Sequence, residues 1–242
     1  MVNQEQLKAF ENLKNGDLKL KSYVRSYPEE KFNFGPSPLC YWSKPLAETF
    51  RQILNYDFVN KEGVYLELGS FFGAGSTQNV LQHTAMKCIC LDNFAIPSNW
   101  WQVNKGPGHF KPASAIPRLS LRQMPFFNGQ GTHLDHFMNN TWEYRDRITP
   151  IQCTIEREVL EAIYEAGIIP DLVFIDDDHA FEPLLWRLYF IAEYWPDAVV
   201  VCDDYNKKNW GGVVQAIDEA LEQGVYNQER SECFGRLFML RN

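Results

Sequence analysis

The sequence lacks any apolar run approaching the roughly 18 residues that a membrane span requires. It also lacks a positive excess. Lys and Arg number 23 against 31 Asp and Glu, a formal charge of −8, so the basic footprint of a nucleic-acid or anionic-membrane binder is missing. None of its six cysteines forms a Cys-x-x-Cys pair, which leaves a zinc site without its usual signal. The first 21 residues are rich in Glu, Lys and Asn and hold no apolar h-region, so a secretory leader is not expected. Without one, the cysteines read as reduced thiols rather than a disulfide framework. No internal repeat occurs. These absences predict a cytoplasmic protein that engages neither nucleic acid nor membrane.

What is present is ordinary globular composition: 242 residues, 45% hydrophobic, 14% aromatic and 22% charged. That length fits one large domain or two small ones. Leu7, Phe10 and Leu13 mark a short amphipathic helix over 4–14. Pro45 in a first turn and the stripe Leu46, Phe50, Ile53, Leu54 mark a firmer one over 45–56. From residue 63 short apolar runs alternate with helical patterns. Strands are predicted at 64–68, 88–91, 148–153, 172–175, 198–202 and 236–240. Helices are predicted at 75–86, 155–166, 181–194 and 212–222. Apolar strands alternating with helices call for a mostly parallel, doubly wound α/β sheet covered on both faces. Residues 1–60 read as a helical N-terminal extension or cap, and 61–242 as the main domain. Within it, 95–130 reads as a lid-like insertion carrying Trp100, Trp101, Phe110, Phe126 and Phe127. That stretch holds Lys105, Lys111, Arg118 and Arg122 and no acid. Its charge either offsets acids elsewhere in the chain or attracts an anionic ligand.

Three constellations carry chemistry. The first ends the first strand: Glu67-x-Gly69-Ser70-x-x-Gly73-x-Gly75-Ser76-Thr77. Glycine there permits a tight turn and a close approach of backbone to ligand. The spacing is not that of a dinucleotide fingerprint, and an acid at Glu67 would oppose a phosphate but suit an ammonium group. The second is Asp92, 25 residues after Glu67, where an acid can accept both hydroxyls of a ribose. The third is a pair of acid clusters at strand ends, Asp176-Asp177-Asp178-His179 and Asp203-Asp204-Tyr205. If those strands are neighbours, Asp176 and Asp203 lie roughly 5 Å apart. Carboxylates that close repel, so some are protonated, some cap helices, or a hard divalent cation binds. His179 is the one histidine beside this chemistry. Cys88 and Cys90 share a strand face and read as core thiols.

Together these residues resemble the class I S-adenosylmethionine-dependent methyltransferases, most nearly the macrocin O-methyltransferase and cephalosporin-hydroxylase-like group. The resemblance runs over roughly 63–240 and includes Tyr144-Arg145-Asp146-Arg147-Ile148-Thr149-Pro150 and the helix from Val213 to Asp218. Two departures stand out: the Gly-rich loop runs one residue longer before Ser76-Thr77, and Pro196-Asp197-Ala198 replaces a Pro-Gly-Gly. The resemblance implies a seven-stranded, Rossmann-like methyltransferase fold. It implies cofactor contacts from Glu67, Gly69, Ser70, Gly73, Gly75, Ser76, Asp92 and Asp176, with adenine near Cys153 and Thr154. It also implies Mg²⁺ or another hard divalent cation on Asp176, Asp203 and Asp204, and Asp176 or His179 as proton acceptor.

The function expected is therefore metal-assisted transfer of a methyl group from S-adenosylmethionine to a hydroxyl of a small, sugar- or natural-product-like molecule. A homo-oligomer is compatible with it. Two rivals stay open: a Mn²⁺-dependent nucleotide-sugar glycosyltransferase using Asp176-Asp177-Asp178, and a catalytically silent cofactor-binding module.

Overall fold

Apolar runs of four to six residues without alternation can be buried on both faces only as inner strands. All but the run at 148–152 appear so in the computed structural model, which describes residues 4–15, 19–34, 43–96 and 129–242. The aromatic and basic side chains of the insertion, Trp100 through Phe127, lie outside the described residues.

The described strands are β1 (Val64–Leu68), β2 (Lys87–Asp92), β3 (Ile148–Gln152), β4 (Leu172–Ile175), β5 (Val199–Cys202), β6 (Glu232–Phe234) and β7 (Leu237–Leu240). They form one sheet in the order β3-β2-β1-β4-β5-β7-β6. The first five pair in parallel, and β7 runs antiparallel to both β5 and β6. Strand order reverses between β1 and β4, which opens a crevice at their carboxyl ends.

Side chains alternate between two apolar layers. On one face Val64, Leu66, Leu68, Val173 and Ile175 meet helices α1 (Gln4–Asn15), α5 (Arg157–Glu165), α6 (Phe181–Tyr194) and α7 (Gly211–Glu222). On the other, Tyr65, Cys88, Cys90 and Phe174 meet α2 (Lys44–Leu54), α3 (Ser76–His83) and α4 (His133–Thr141). The N-terminal helices are thus one element of each layer. Phe10 and Leu13 of α1 and Phe50, Ile53 and Leu54 of α2 are all buried.

Local chemistry accounts for the boundaries. Ser43 caps α2, its hydroxyl accepting from the Leu46 N–H at 3.3 Å, with Pro45 in the first turn. Helix α4, which apolar periodicity alone does not reveal, starts at a reciprocal capping box between Thr132 and Asp135. Proline in β3 is tolerated because that strand has a single full partner, β2. Its outer edge is closed by residues 23–25: Arg25 donates to the Pro150 carbonyl and Gln152 to the Tyr23 carbonyl. Among the described residues no helix is long and apolar enough to cross a membrane.

If α2 belongs to the core rather than to a detachable cap, Phe50→Ala must leave a cavity under β4, where the Phe50 ring meets Phe174 at 5.2 Å. The expected cost is about 3–5 kcal/mol, read by urea unfolding. A loss below about 1 kcal/mol would show that α2 is peripheral.

Candidate active site

A cavity of about 770 Å³ occupies the crevice at the carboxyl ends of the strands. Each of the first four strands delivers residues to its wall. Gly69 and Phe71 follow β1, Asp92 and Asn93 close β2, Cys153 and Thr154 follow β3, and Asp176 through His179 follow β4. Trp210, Gly211 and Gly212 close it at the start of α7.

The loop after β1 is built around left-handed backbone. Gly69 has φ +90°, and a Cβ there would lie 2.3 Å from the Asp176 carbonyl oxygen. Glycine is therefore required for β1 to turn against the end of β4. Phe71 also takes a positive φ of 50°. Its N–H donates to Asp92 Oδ2 at 2.8 Å, and the Phe94 N–H donates to Oδ1 at 2.7 Å. Two backbone donors thus fix Asp92 at the cavity wall. Burial pushes its carboxyl up to about 6, those two hydrogen bonds pulling against the shift. Asp92 is ionised at neutral pH and retains lone pairs for a ligand.

Glu67, Ser70, Gly73, Gly75 and Ser76 do not line the cavity. Glu67 points to the opposite layer and is fully buried. Its carboxylate accepts hydrogen bonds from the hydroxyls of Ser76 and Thr77 at the start of α3. Burial raises its pKa, and those hydroxyls work against the rise. The expected contact with an ammonium group gives way to a strut: Glu67 ties β1 to the N-terminal turn of α3. Gly73 faces the Phe137 ring, 2.8 Å from where a Cβ would sit. Gly75 precedes α3 as its N-cap.

The acid clusters do converge, since β4 and β5 are hydrogen-bonded neighbours. Their repulsion is met by cations of the chain itself. Asp177 pairs with Arg187 of α6 at 2.8 Å, both nearly buried. Asp203, fully buried, is gripped by the Arg236 guanidinium through Nε–Oδ1 at 2.6 Å and Nη2–Oδ2 at 2.8 Å. The same Nη2 lies 2.8 Å from Asp204 Oδ1, and Asp204 Oδ2 lies 2.8 Å from His179 Nε2. That Nε2 in turn lies 3.7 Å from Asp176 Oδ1. Charge alternates along the chain of contacts, from Arg236 through the two carboxylates to His179 and finally Asp176 at the cavity wall. Asp204 holds its place in it with a strained φ of 60°.

Titration follows this order. Burial opposes a charge on His179, but the hydrogen bonds and charges of Asp176 and Asp204 outweigh it and push the imidazole up to about 10. Its stabilising contribution is complete below pH 6.5 and is lost as pH rises through about 10. Burial and the nearby Asp203 push Asp176 up to about 7, with His179 pulling the other way. Trp210 stacks on the His179 ring at 4.1 Å and fixes its plane.

The expected metal set of Asp176, Asp203 and Asp204 does not fit this geometry. Both oxygens of Asp203 are occupied by Arg236, and Arg236 also takes one oxygen of Asp204. Among the described residues, Asp176, His179 and Asp204 bring ligand atoms within 4.8 Å of one another. An ion there would have to displace the His179–Asp204 hydrogen bond. The Asp176-Asp177-Asp178 run is not a free pair of ligands either, since Asp177 pairs with Arg187 and Asp178 Oδ1 accepts from the Ala180 N–H at 3.0 Å.

Arg187, Trp210 and Arg236 carry no motif in the sequence. Arg236 could have been found only from strand order, because antiparallel β7 begins where β5 ends.

No protein-family model matches the chain, and no curated protein matches it. Among solved structures, an O-methyltransferase from Bacillus cereus in complex with SAH is similar at 12% identity and TM-score 0.50, over 99% of this chain and 91% of that one. The calicheamicin methyltransferase CalS11 matches at 16% identity and TM-score 0.47, over 80% and 76% of the two chains. Fibrillarin from Methanococcus jannaschii, a pre-rRNA processing protein, matches at 10% and 0.47, over 90% and 86%. The Bacillus cereus likeness shows that the fold is the Rossmann-like fold of class I methyltransferases.

The Asp177–Arg187 pair supports the cavity wall, so Arg187→Ala should strand a buried carboxylate. The expected loss is about 3–5 kcal/mol. Adding Asp177→Ala should return part of it in urea unfolding. Simple additivity of the two losses would mean the pair is not coupled.

Proposed function

We propose that the chain transfers a methyl group from S-adenosylmethionine to a hydroxyl of a small molecule. The observation that carries this reading is the cavity itself. It joins a carboxylate held by backbone amides, Asp92, to a proton-accepting carboxylate, Asp176, on a fold of the methyltransferase type.

The cofactor, when bound, supplies an electrophilic methyl carbon on a sulfonium. Everything else falls to the chain. Asp92 is suited to accept both ribose hydroxyls, and Cys153 and Thr154 border the space for the base. Gly69, with no side chain, lets the β1 loop press against the Asp176 main chain at the cavity wall. Alignment of oxygen, methyl carbon and sulfur then provides most of the rate.

The acceptor hydroxyl must lose its proton as the oxygen attacks. Asp176 is the group best suited to take it. It faces the cavity, and its pKa of about 7 gives both a useful base and a substantial ionised fraction at neutral pH. His179, charged at that pH, instead holds Asp176 as a carboxylate and orients it. No step requires a metal ion, and the residues present do not offer the expected set. The glycosyltransferase rival needs free paired carboxylates in Asp176-Asp177-Asp178, which the Arg187 pair and the Asp178–Ala180 hydrogen bond disfavour.

The test is production of S-adenosylhomocysteine from S-adenosylmethionine over a panel of small hydroxyl compounds. In the wild type kcat should rise with pH through about 7 as Asp176 ionises. Asp176→Asn should lower kcat about 10²- to 10⁴-fold. His179→Gln removes the neighbouring positive charge, so Asp176 holds its proton more tightly and the rising limb moves to higher pH. Tight cofactor binding without turnover on any hydroxyl compound would instead identify a silent binding module.

A further inference from the structure

We propose that the guanidinium of Arg236 stands where a divalent cation would otherwise be needed, making it a positioning residue that keeps Asp203 and Asp204 in place without metal. The inference deepens the methyltransferase reading and rests on it for the meaning of the cluster, but its test does not use the cofactor.

Three observations support it. The first is position. Nη2 of Arg236 lies 2.8 Å from Asp203 Oδ2 and 2.8 Å from Asp204 Oδ1, filling the wedge between two carboxylates on one turn. An ion bridging those oxygens would sit at roughly 2.0–2.6 Å from each and would compete for that wedge.

The second is preorganisation. Arg236 follows Gly235 in the tight turn joining β6 to β7, where Gly235 has φ +72°. The Arg236 carbonyl accepts from the Tyr205 N–H at 2.9 Å, so its main chain is fastened to the very turn whose carboxylates it grips. The fork on Asp203 is bidentate, a geometry that guanidinium matches and ammonium does not. Its partner Asp203 is fully buried, while the arginine side chain is about half exposed.

The third is charge. Asp176, Asp203 and Asp204 bring three negative charges to adjacent strand ends. The Arg236 guanidinium sets its positive charge between two of them, Asp203 and Asp204, and leaves the third, Asp176, at the cavity wall.

The experiment is thermal unfolding of the full chain in chelator and in excess Mn²⁺ or Mg²⁺. The wild-type melting temperature should be the same in both. Arg236→Ala should melt lower in chelator and recover with Mn²⁺. A rise of about 5 °C is the scale expected when the ion stands roughly a hundredfold above its dissociation constant. Adding Asp204→Asn should abolish the recovery, which a merely structural loss would not explain. Arg236→Gln, which keeps a donor, serves if the alanine variant does not fold in chelator, and folding of either variant only with Mn²⁺ supports the proposal. Stabilisation of the wild type by Mn²⁺ that Asp204→Asn removes would overturn it, as would an arginine-less variant that folds and ignores divalent ions. Failure of S-adenosylhomocysteine to bind would strike the methyltransferase reading and leave this result standing.

Discussion

Carboxylates on neighbouring parallel strands cannot share one rim unless something neutralises them, and the ends of β4 and β5 carry Asp176, Asp177, Asp203 and Asp204. The chain answers with Arg187 from α6, Arg236 from the last hairpin and the imidazolium of His179. Each compensating group comes from a different part of the sequence. The cluster therefore ties α6 and the β6–β7 hairpin to the center of the sheet. It also leaves one carboxylate at the cavity wall, Asp176, incompletely compensated. The reactivity assigned to the site follows from this imbalance.

A second constraint shapes the opposite wall. The loop after β1 must pass close to the end of β4 and still present the Phe71 N–H to Asp92. Glu67 makes that possible from below, because its carboxylate holds the hydroxyls of Ser76 and Thr77 and so fixes where α3 begins. The acid that begins the Gly-rich motif thus shapes the cavity wall through the loop rather than by lining it.

Much of this was legible in the sequence because it is local. The six longer strands follow from short, mainly apolar runs, and Leu46, Phe50, Ile53 and Leu54 are the buried stripe of α2. Asp92, Cys153, Thr154, Asp176 and His179 could be placed at one rim because each ends a strand of a parallel sheet. What was not legible is pairing between distant segments. Arg236 stands 33 residues from Asp203, and only the antiparallel return of β7 brings them together. Read without Arg236, the acids leave protonation, helix capping and an external cation all open. Glu67 was placed in the right motif, but which sheet face it takes depends on strand parity: Tyr65 and Glu67 face the layer of α2 and α3, while Leu66 and Leu68 face the other. Helix α4 carried a readable signal in Thr132 and Asp135, although its apolar face is short.

The proposed chemistry requires an adenosyl ligand held at Asp92 without metal. Calorimetric titration of the wild type and of Asp92→Ala with S-adenosylhomocysteine in the presence of chelator tests it directly. Binding in chelator is expected, with a loss of about 1.5–3 kcal/mol in the variant, the worth of hydrogen bonds to a charged group. No binding by the folded wild type, or unchanged affinity in a folded Asp92→Ala, would contradict it.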